Sequence, residues 1–441
     1  MIKILDFCNK FIFGPSLPII IFCAGGYLLF KYGSFIFTKP KSIARVLTRK
    51  NEKSGISPFK TAMLALASTL GVGNIVGVST AIFSGGPGAV FWLTLSAVMA
   101  MPLKYGEVVL AMKYRTKKGD EYRGGAMYYM RDCLKNKTLS FVFAFLCIVN
   151  AFTVGNVVQI NAVTESFESF FSVKPIYIGF ILSVVIFLSI CKGTKRISEI
   201  TSKVIPLSTL VYVLLSAYIL LINTDRLYDI AKLIISEAFN VKAALGGVGG
   251  YSIIRALRYG VARGIMSNEA GSGTSPIAHA KSNLKSPAEQ GFWGIFEVFA
   301  DTVVMCNLTA FVVLLSYGDG VVRKGLSGMA LVLYSYTKYA GNFAGYIIVI
   351  SVLLFAYATV VCQGFYGREC TYYLTEKKRN INLYTMLFCA LVIYGSVVSS
   401  DLLWSFTDFN ISLMTVINTS CILIASGEIK HETDMYFEGN K

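Results

Sequence analysis

The sequence predicts an all-α membrane protein of eleven transmembrane helices: two inverted five-helix repeats, each containing one broken helix, preceded by one extra N-terminal helix. Three observations lead there. Hydrophobic residues make up 54% of the 441-residue chain and charged residues only 15%, with a mean hydropathy of +0.60; a soluble domain carries about 25% charged residues. Eleven apolar segments are long enough to cross a bilayer, which takes about 20 residues. Two of those segments, five spans apart, are interrupted by glycine and polar residues.

The spans fall near 15–37, 59–84, 87–113, 139–168, 175–192, 198–222, 246–283, 287–317, 343–367, 383–399 and 401–426. Backbone groups in lipid must be satisfied within the segment, so helices are the element expected at this length and hydropathy. Lys3 and Lys10 ahead of the first span resemble a signal peptide. The apolar run from Pro15 to Phe37 is too long for one and has no small-x-small cleavage site, so it reads as a retained span.

Lys and Arg outnumber Asp and Glu by 41 to 25, a formal charge of +16. The excess is concentrated in alternate loops. Lys39, Lys41, Arg45, Arg49, Lys50 and Lys53 follow the first span, and Arg115, Lys117, Lys118, Arg123, Arg131, Lys135 and Lys137 follow the third. Lys192, Lys195 and Arg196 follow the fifth, and Arg368, Lys377, Lys378 and Arg379 the ninth. The intervening loops are sparse: 84–87 has no charge, 169–174 only Lys174, and 399–401 no Lys or Arg. The positive-inside rule then places the N-terminus outside and the C-terminus in the cytoplasm of a multi-pass inner (plasma) membrane protein. The charge is a topology signal, with no nucleic-acid partner implied.

The chain divides into an extra helix and basic loop at 1–56, a first repeat at 57–222, a connector at 223–245, a second repeat at 246–427 and a tail at 428–441. In the connector, Leu227, Ile230, Leu233, Ile234 and Phe239 alternate with Asp225, Asp229, Lys232 and Glu237. That spacing predicts an amphipathic helix, either lying on the membrane surface or capping the bundle. Ten scattered Cys without a C-x-x-C pair read as small hydrophobes, and two His, His279 and His431, leave little basis for a His-based metal site.

The second span contains Gly71-Val72-Gly73-Asn74 followed by Gly77. Each glycine costs about 1 kcal/mol of helix propensity relative to Ala. Gly73-x-x-x-Gly77 is also a small-xxx-small packing face. The seventh segment carries Met266-Ser267-Asn268-Glu269-Ala270-Gly271-Ser272-Gly273-Thr274-Ser275-Pro276. Read alone it is either an extramembrane turn or a break lining a cavity. Because five spans separate the two, the second group enters the membrane from the opposite side. Paired breaks in inverted halves point to a midplane binding site. Half-helix N-termini suit an anion such as a substrate carboxylate, and unwound carbonyls suit a cation. The breaks are therefore expected at Gly71–Asn74 and Met266–Gly271.

Other polar residues sit inside spans. Asn150, Asn156, Gln159 and Asn161 lie in the fourth, where Asn156 and Gln159 share a helical face; they serve either a cavity or helix–helix hydrogen bonding. Glu297 and Asp301, i,i+4 in the eighth, serve either ion coupling or salt bridges to Arg255, Arg258 or Arg263. Thr359 and Gln363, i,i+4 in the ninth, offer a pocket wall. No nucleophile–base pattern, metal-ligand spacing or phosphate loop points to an enzyme, and no organic cofactor is expected.

Several long blocks resemble the alanine or glycine:cation symporter family, the sodium:alanine symporters. They are Gly71-Val72-Gly73-Asn74-Ile75, Gly85-Gly86-Pro87-Gly88-Ala89-Val90-Phe91-Trp92, Lys104-Tyr105-Gly106-Glu107, Gly124-Gly125-Ala126-Met127-Tyr128-Tyr129, Ala256-Leu257-Arg258-Tyr259-Gly260-Val261-Ala262-Arg263-Gly264, Ser267-Asn268-Glu269-Ala270-Gly271 and Phe365-Tyr366-Gly367. The resemblance covers nearly the whole chain. It implies a fold similar to the neurotransmitter:sodium symporters and sodium-coupled uptake, by alternating access, of small neutral amino acids such as alanine and glycine. Carried over by position, Gly71, Gly73 and Asn74 would meet the amino acid on one break, and Met266, Ser267 and Asn268 on the other. Gln159, Thr359 and Gln363 would complete the pocket, and sodium would bind the carbonyls of Ala67 and Leu70 and the Thr359 hydroxyl.

Three positions depart from the family pattern. Val72 stands where the family usually has Thr, Ala358 where a Ser or Thr is common, and Gln363 where Trp is frequent. Ala358 removes one oxygen from the sodium position. Gln363 in place of an indole frees volume and adds hydrogen-bonding groups, which suits a larger or more polar amino acid such as glutamine or serine. A proton-coupled symporter relaying through Glu297 or Asp301 is a further alternative.

Overall fold

The computed structural model describes Asn9 and residues 14–49, 55–119, 121–191, 193–239, 250–319, 325–398 and 400–439. Lys3, Lys10, Lys50, Lys53, Lys192, the end of the connector and the start of the seventh segment, all used for expectations above, lie outside them. The chain is helical almost throughout. Its helices are α1 (Gly14–Gly33), α2 (Pro40–Thr48), α3 (Pro58–Thr69), α4 (Val76–Gly85), α5 (Ala89–Lys113), α6 (Ala126–Asp132), α7 (Lys137–Phe171), α8 (Pro175–Cys191) and α9 (Gly193–Leu221). There follow α10 (Thr224–Ala238), α11 (Gly250–Asn268), α12 (Pro276–His279), α13 (Pro287–Leu315), α14 (Gly328–Thr375), α15 (Lys378–Gly395), α16 (Ser400–Ile424) and α17 (Ser426–Glu438).

Among the described residues, seven of these helices are long and apolar enough to cross a membrane, or eight if α3 and α4, bent by 61°, form one span. A helix also lies at each of the three remaining expected positions. α8 is apolar but has only 17 residues. α11 carries Arg255, Arg258 and Arg263, and α15 opens on Lys378 and Arg379, which lowers their hydropathy. Large apolar side chains point outward on α8, α9 and α15, where Phe180, Leu207 and Met386 are each more than 60% exposed. Such a surface fits lipid contact.

Local chemistry sets the ends. α3 and α13 start on Pro58 and Pro287, whose missing N–H costs nothing at a first helical position. Ser57 and Ser286 cap them, accepting from the Lys60 and Glu289 amides at 3.3 and 3.4 Å. α4 stops at Gly86, with φ +76°. The helices pack as two groups: α11 and α13 lie on α5, with α4 against α11, while α3, α7, α9 and α15 gather around α14. α1 lies against α5 and α11, so the extra helix buttresses the first group.

The structure adds elements the pattern did not reveal. The basic loop after α5 carries a two-stranded antiparallel hairpin, β1 (Thr116–Lys118) with β2 (Glu121–Arg123). α14 extends well before its expected span and turns sharply at Ala340 and Gly341, the latter at φ +71°. The expected tail contains α17, held to α5 where Lys113 pairs with Glu428 and Glu432 at 3.1 and 3.2 Å and Tyr105 meets Thr433 at 2.9 Å. The connector helix α10 buries Ile230, Ile234 and Ala238 against α5, α11 and α13.

Candidate functional site

The first break begins where α3 ends. Gly71 (φ −127°, ψ −154°) is extended, one tight turn spans Val72–Asn74, and α4 resumes at Val76. Three side chains hold the opened backbone. Asn74 Oδ1 accepts from the Gly71 amide at 3.0 Å, Gln159 Oε1 accepts from the Val72 amide at 3.0 Å, and the Thr359 hydroxyl lies 3.5 Å from the Leu70 carbonyl oxygen. Gly71 has no room for more: a Cβ there would sit 2.8 Å from both Gln159 Oε1 and Thr359 Oγ1. These groups come from the break itself, α7 and α14.

The second break starts later than expected. α11 runs through Asn268, so Met266 and Ser267, placed in the break by the sequence reading, are still helical. The chain opens only at Glu269 (φ +50°), and Gly271 (φ +81°) and Gly273 (φ +80°) follow before α12 begins on Pro276. Asn268 supplies its own closure by accepting from the Ala270 amide at 2.9 Å, and its Nδ2 donates to Thr302 at 3.0 Å. Glu269 accepts from Thr274 at 2.5 Å and from Gln363 Nε2 at 2.7 Å.

The first break touches the last turn of α11, just ahead of the second. The Asn74 amide donates to Ser267 Oγ at 2.9 Å and to Asp301 Oδ1 at 2.8 Å, while Ser267 donates to Asp301 Oδ2 at 2.7 Å. A Cβ on Gly73 would lie 3.5 Å from the Ser267 Cα, so the small-residue face and the break coexist in one segment. Asn74, Gln159, Met266, Ser267, Asn268, Thr359 and Gln363 are all at most 6% exposed. Ala67 is buried one turn before the break. Met266 also lines a small cleft between α1, α11 and α16.

Several expectations are corrected. Glu297 does not pair with Arg255, Arg258 or Arg263: its partners are Lys104 Nζ at 3.2 Å and His279 Nε2 at 2.9 Å. Asp301 accepts from the neutral groups of Asn74, Ser267 and Thr302. Arg263 instead forms a two-pronged pair with Asp408, at 2.7 and 3.2 Å. Asn156 and Gln159 do not act together either. Asn156 donates to the Phe388 carbonyl of α15 at 2.8 Å and Asn161 to that of Val398, just past the end of α15, at 2.7 Å, whereas Gln159 faces the break. Asn156 itself lies in a wide π turn of α7, Thr153–Val157, which ends before Gln159.

Lys104 and Glu107, spaced i,i+3 in α5, form a fully buried pair at 3.5 Å that spacing alone gave no role. Lys104 also donates to Ser275 at 2.7 Å, and Glu107 accepts from the Gly273 amide at 3.2 Å and from Asn418 at 2.9 Å. His279 continues the network to Gln290 at 2.7 Å, and Gln290 reaches Thr61 of α3 at 3.2 Å. An acid and a base one turn apart inside an apolar span is the signal that marks such a support.

Comparison with known proteins places this geometry. The model of the sodium:alanine symporter family matches residues 1–441. The sodium/alanine symporter AgcS of Methanococcus maripaludis is 34% identical, with 100% of this chain and 98% of that protein aligned. The probable sodium/glutamine symporter GlnT of Bacillus subtilis is 32% identical over 96% of this chain and 88% of its own. Among solved structures, MhsT in complex with L-phenylalanine superposes with a TM-score of 0.63 at 13% identity, covering 87% of this chain and 93% of the other, a likeness of fold.

Proposed function

The chain belongs to the sodium:alanine symporter family, a family of multi-pass membrane transporters and not of enzymes, and from that premise we propose that it couples uptake of a small neutral amino acid of the alanine and glycine class to sodium by alternating access. The observation that carries this reading is the meeting of the first break with the end of α11, just ahead of the second, and with α13, through Asn74, Ser267 and Asp301. A zwitterion needs donors for its carboxylate and acceptors for its ammonium in one small volume, and two interrupted helices supply both kinds of backbone group. Gly71, Gly73 and Asn74 serve the amino acid from the first break, Met266, Ser267 and Asn268 from the last turn of α11 ahead of the second, with Gln159, Thr359 and Gln363 as walls. Sodium takes the carbonyls of Ala67 and Leu70 with the Thr359 hydroxyl. That assignment is supported by the approach of Thr359 to the Leu70 oxygen.

In this reading all eleven helical positions cross the membrane, the repeats at 57–222 and 246–427 are inverted, and the N-terminus lies outside with the C-terminus cytoplasmic. The Arg263–Asp408 pair then stands on the outer side of the breaks, and the Lys104 network on the inner side.

A second reading concerns selectivity. Gln363 packs against Gly155, donates to Glu269, and its Oε1 has no hydrogen-bond partner among the described residues although the residue is 1% exposed. A buried unpaired acceptor is costly, and a substrate with a side-chain donor, such as glutamine or serine, relieves it. Labelled alanine uptake into proteoliposomes under an inward sodium gradient, competed with glycine, serine and glutamine, tests both readings. Strong competition by glycine supports the small-substrate reading, and stronger competition by serine or glutamine the polar one. Uptake that ignores sodium and collapses with a protonophore contradicts sodium coupling.

A further inference from the structure

We propose that the cleft enclosed by α2 and the starts of α3 and α13 binds an anionic phospholipid by its phosphate headgroup, on the face that the charge pattern assigns to the cytoplasm, and that the bound lipid braces α3 against α13. The cavity holds about 250 Å³ and has two kinds of wall. Val46, Leu47, Phe59, Leu284 and Trp293 are apolar, while Thr48, Arg49, Ser57 and Glu289 are polar. An amphiphile matches both. Trp293 gives the sharpest sign of an occupant. It is only 6% exposed, its ring meets that of Phe59 edge-on at 6.1 Å, and its indole nitrogen has no hydrogen-bond partner among the described residues. A buried indole N–H ordinarily finds an acceptor, and a phosphate or ester oxygen in the cleft supplies one.

The charge around the cleft selects an anion. Between Lys39 and Lys60 the chain carries seven Lys or Arg and one acid, Glu52. On α2, Lys41 and Arg45 are exposed while Val46 is buried and Ile43 and Leu47 pack inward, the pattern of a basic helix lying on a membrane surface. Arg49, just past its end, is exposed and spends one of its five N–H groups on Glu289, at 3.1 Å, among the described residues. The starts of α3 and α13 add the positive ends of two helix dipoles. Glu289 is the one acid of the lining, and its pairing with Arg49 keeps that guanidinium at the cleft. Anionic lipids of the cytoplasmic leaflet are drawn to such basic segments, and their glycerol and first chain carbons match the apolar wall, which a free anion leaves uncovered. α2 packs on α13, and Gln290 of α13 reaches Thr61 of α3 at 3.2 Å, so the headgroup sits where the helix leading to the first break adjoins α13.

Thermal unfolding of the full-length protein in detergent tests this, with phosphatidylglycerol, phosphatidylethanolamine of the same acyl chains, or inorganic phosphate added. A ligand that binds only the folded protein raises its melting temperature with concentration. Phosphatidylglycerol is expected to raise it most, with phosphatidylethanolamine and inorganic phosphate well behind. Arg49→Gln, a change at an exposed side chain, is expected to raise the phosphatidylglycerol concentration for half the shift about fivefold. Trp293→Phe keeps the ring and removes the N–H, and is expected to raise it several-fold with phosphatidylethanolamine unaffected. Each variant is read against its own lipid-free melting temperature, so a general loss of stability is told apart from a loss of binding. Equal shifts from the two lipids would make the cleft an unselective acyl groove, and a phosphate shift matching that of phosphatidylglycerol would make it a free-anion site. Either result, or an unchanged phosphatidylglycerol dependence in both variants, overturns the proposal.

Discussion

The two breaks solve one problem by different means. The first opens the helix without any residue in the left-handed region: Gly71 is extended, and a single tight turn restores the axis at 61° to its start. Its glycines give proximity. Gly71 lies against Gln159 and Thr359, and Gly73 against Ser267. The second break turns through three residues at positive φ, and its glycines provide backbone freedom that an L side chain lacks. Glu269 occupies the same region at φ +50° with its side chain held by Thr274 and Gln363. The first break is thus built around close approach to the site, the second around the shape of the chain.

This difference separates folding from transport. The largest effect on stability is expected from Gly273→Ala, where a Cβ adds left-handed strain and lies 2.6 Å from Phe143 Cζ and 2.9 Å from Asn418 Cγ. Together these cost about 3 kcal/mol, read as a lower melting temperature in detergent. Gly71→Ala keeps an allowed conformation but drives its Cβ onto Gln159 and Thr359. Uptake is expected to fall at least about tenfold with little change in melting temperature, since sites tolerate only about 0.5 Å of misplacement. If Gly71→Ala unfolds the protein while Gly273→Ala transports normally, the contrast between the breaks fails.

Smaller effects refine the contrast. Thr359→Ala deletes a side-chain oxygen beside the Leu70 carbonyl and is expected to raise the sodium concentration for half-maximal uptake about tenfold, equivalent to about 1.4 kcal/mol. Sodium titration of alanine uptake reads this directly. Gln363→Trp fills the space beside Gly155 and removes the bond to Glu269 at the second break. It is expected to weaken competition by glutamine and serine by about tenfold relative to glycine. Unchanged relative competition would show that Gln363 does not set selectivity.

Much of the architecture was legible in the sequence because lipid simplifies the code. An apolar run of sufficient length is a helix, and Gly71 and Gly73 beside Asn74 placed the first break where it is. The second was set a few residues early: Ser267 and Asn268 look like breakers by composition, yet α11 stays helical through them, and positive φ starts only at Glu269. Glu297 and Asp301 stood out as intramembrane acids, but their partners did not. Lys104 lies 193 residues from Glu297, and Asp408 lies 145 from Arg263. Such pairings are fixed by how helices pack, which spacing does not encode. The π turns in α7 and α13 were also hidden, because periodicity arguments assume 3.6 residues per turn.

The most direct test pairs the wild type with Gly71→Ala, reconstituted at equal density and supplied with labelled alanine under an inward sodium gradient or an equal potassium gradient. The expected result is accumulation by the wild type with sodium alone, and its loss in Gly71→Ala at an unchanged melting temperature. Equal uptake with potassium, or full uptake by Gly71→Ala, would contradict a sodium-coupled site built at the first break.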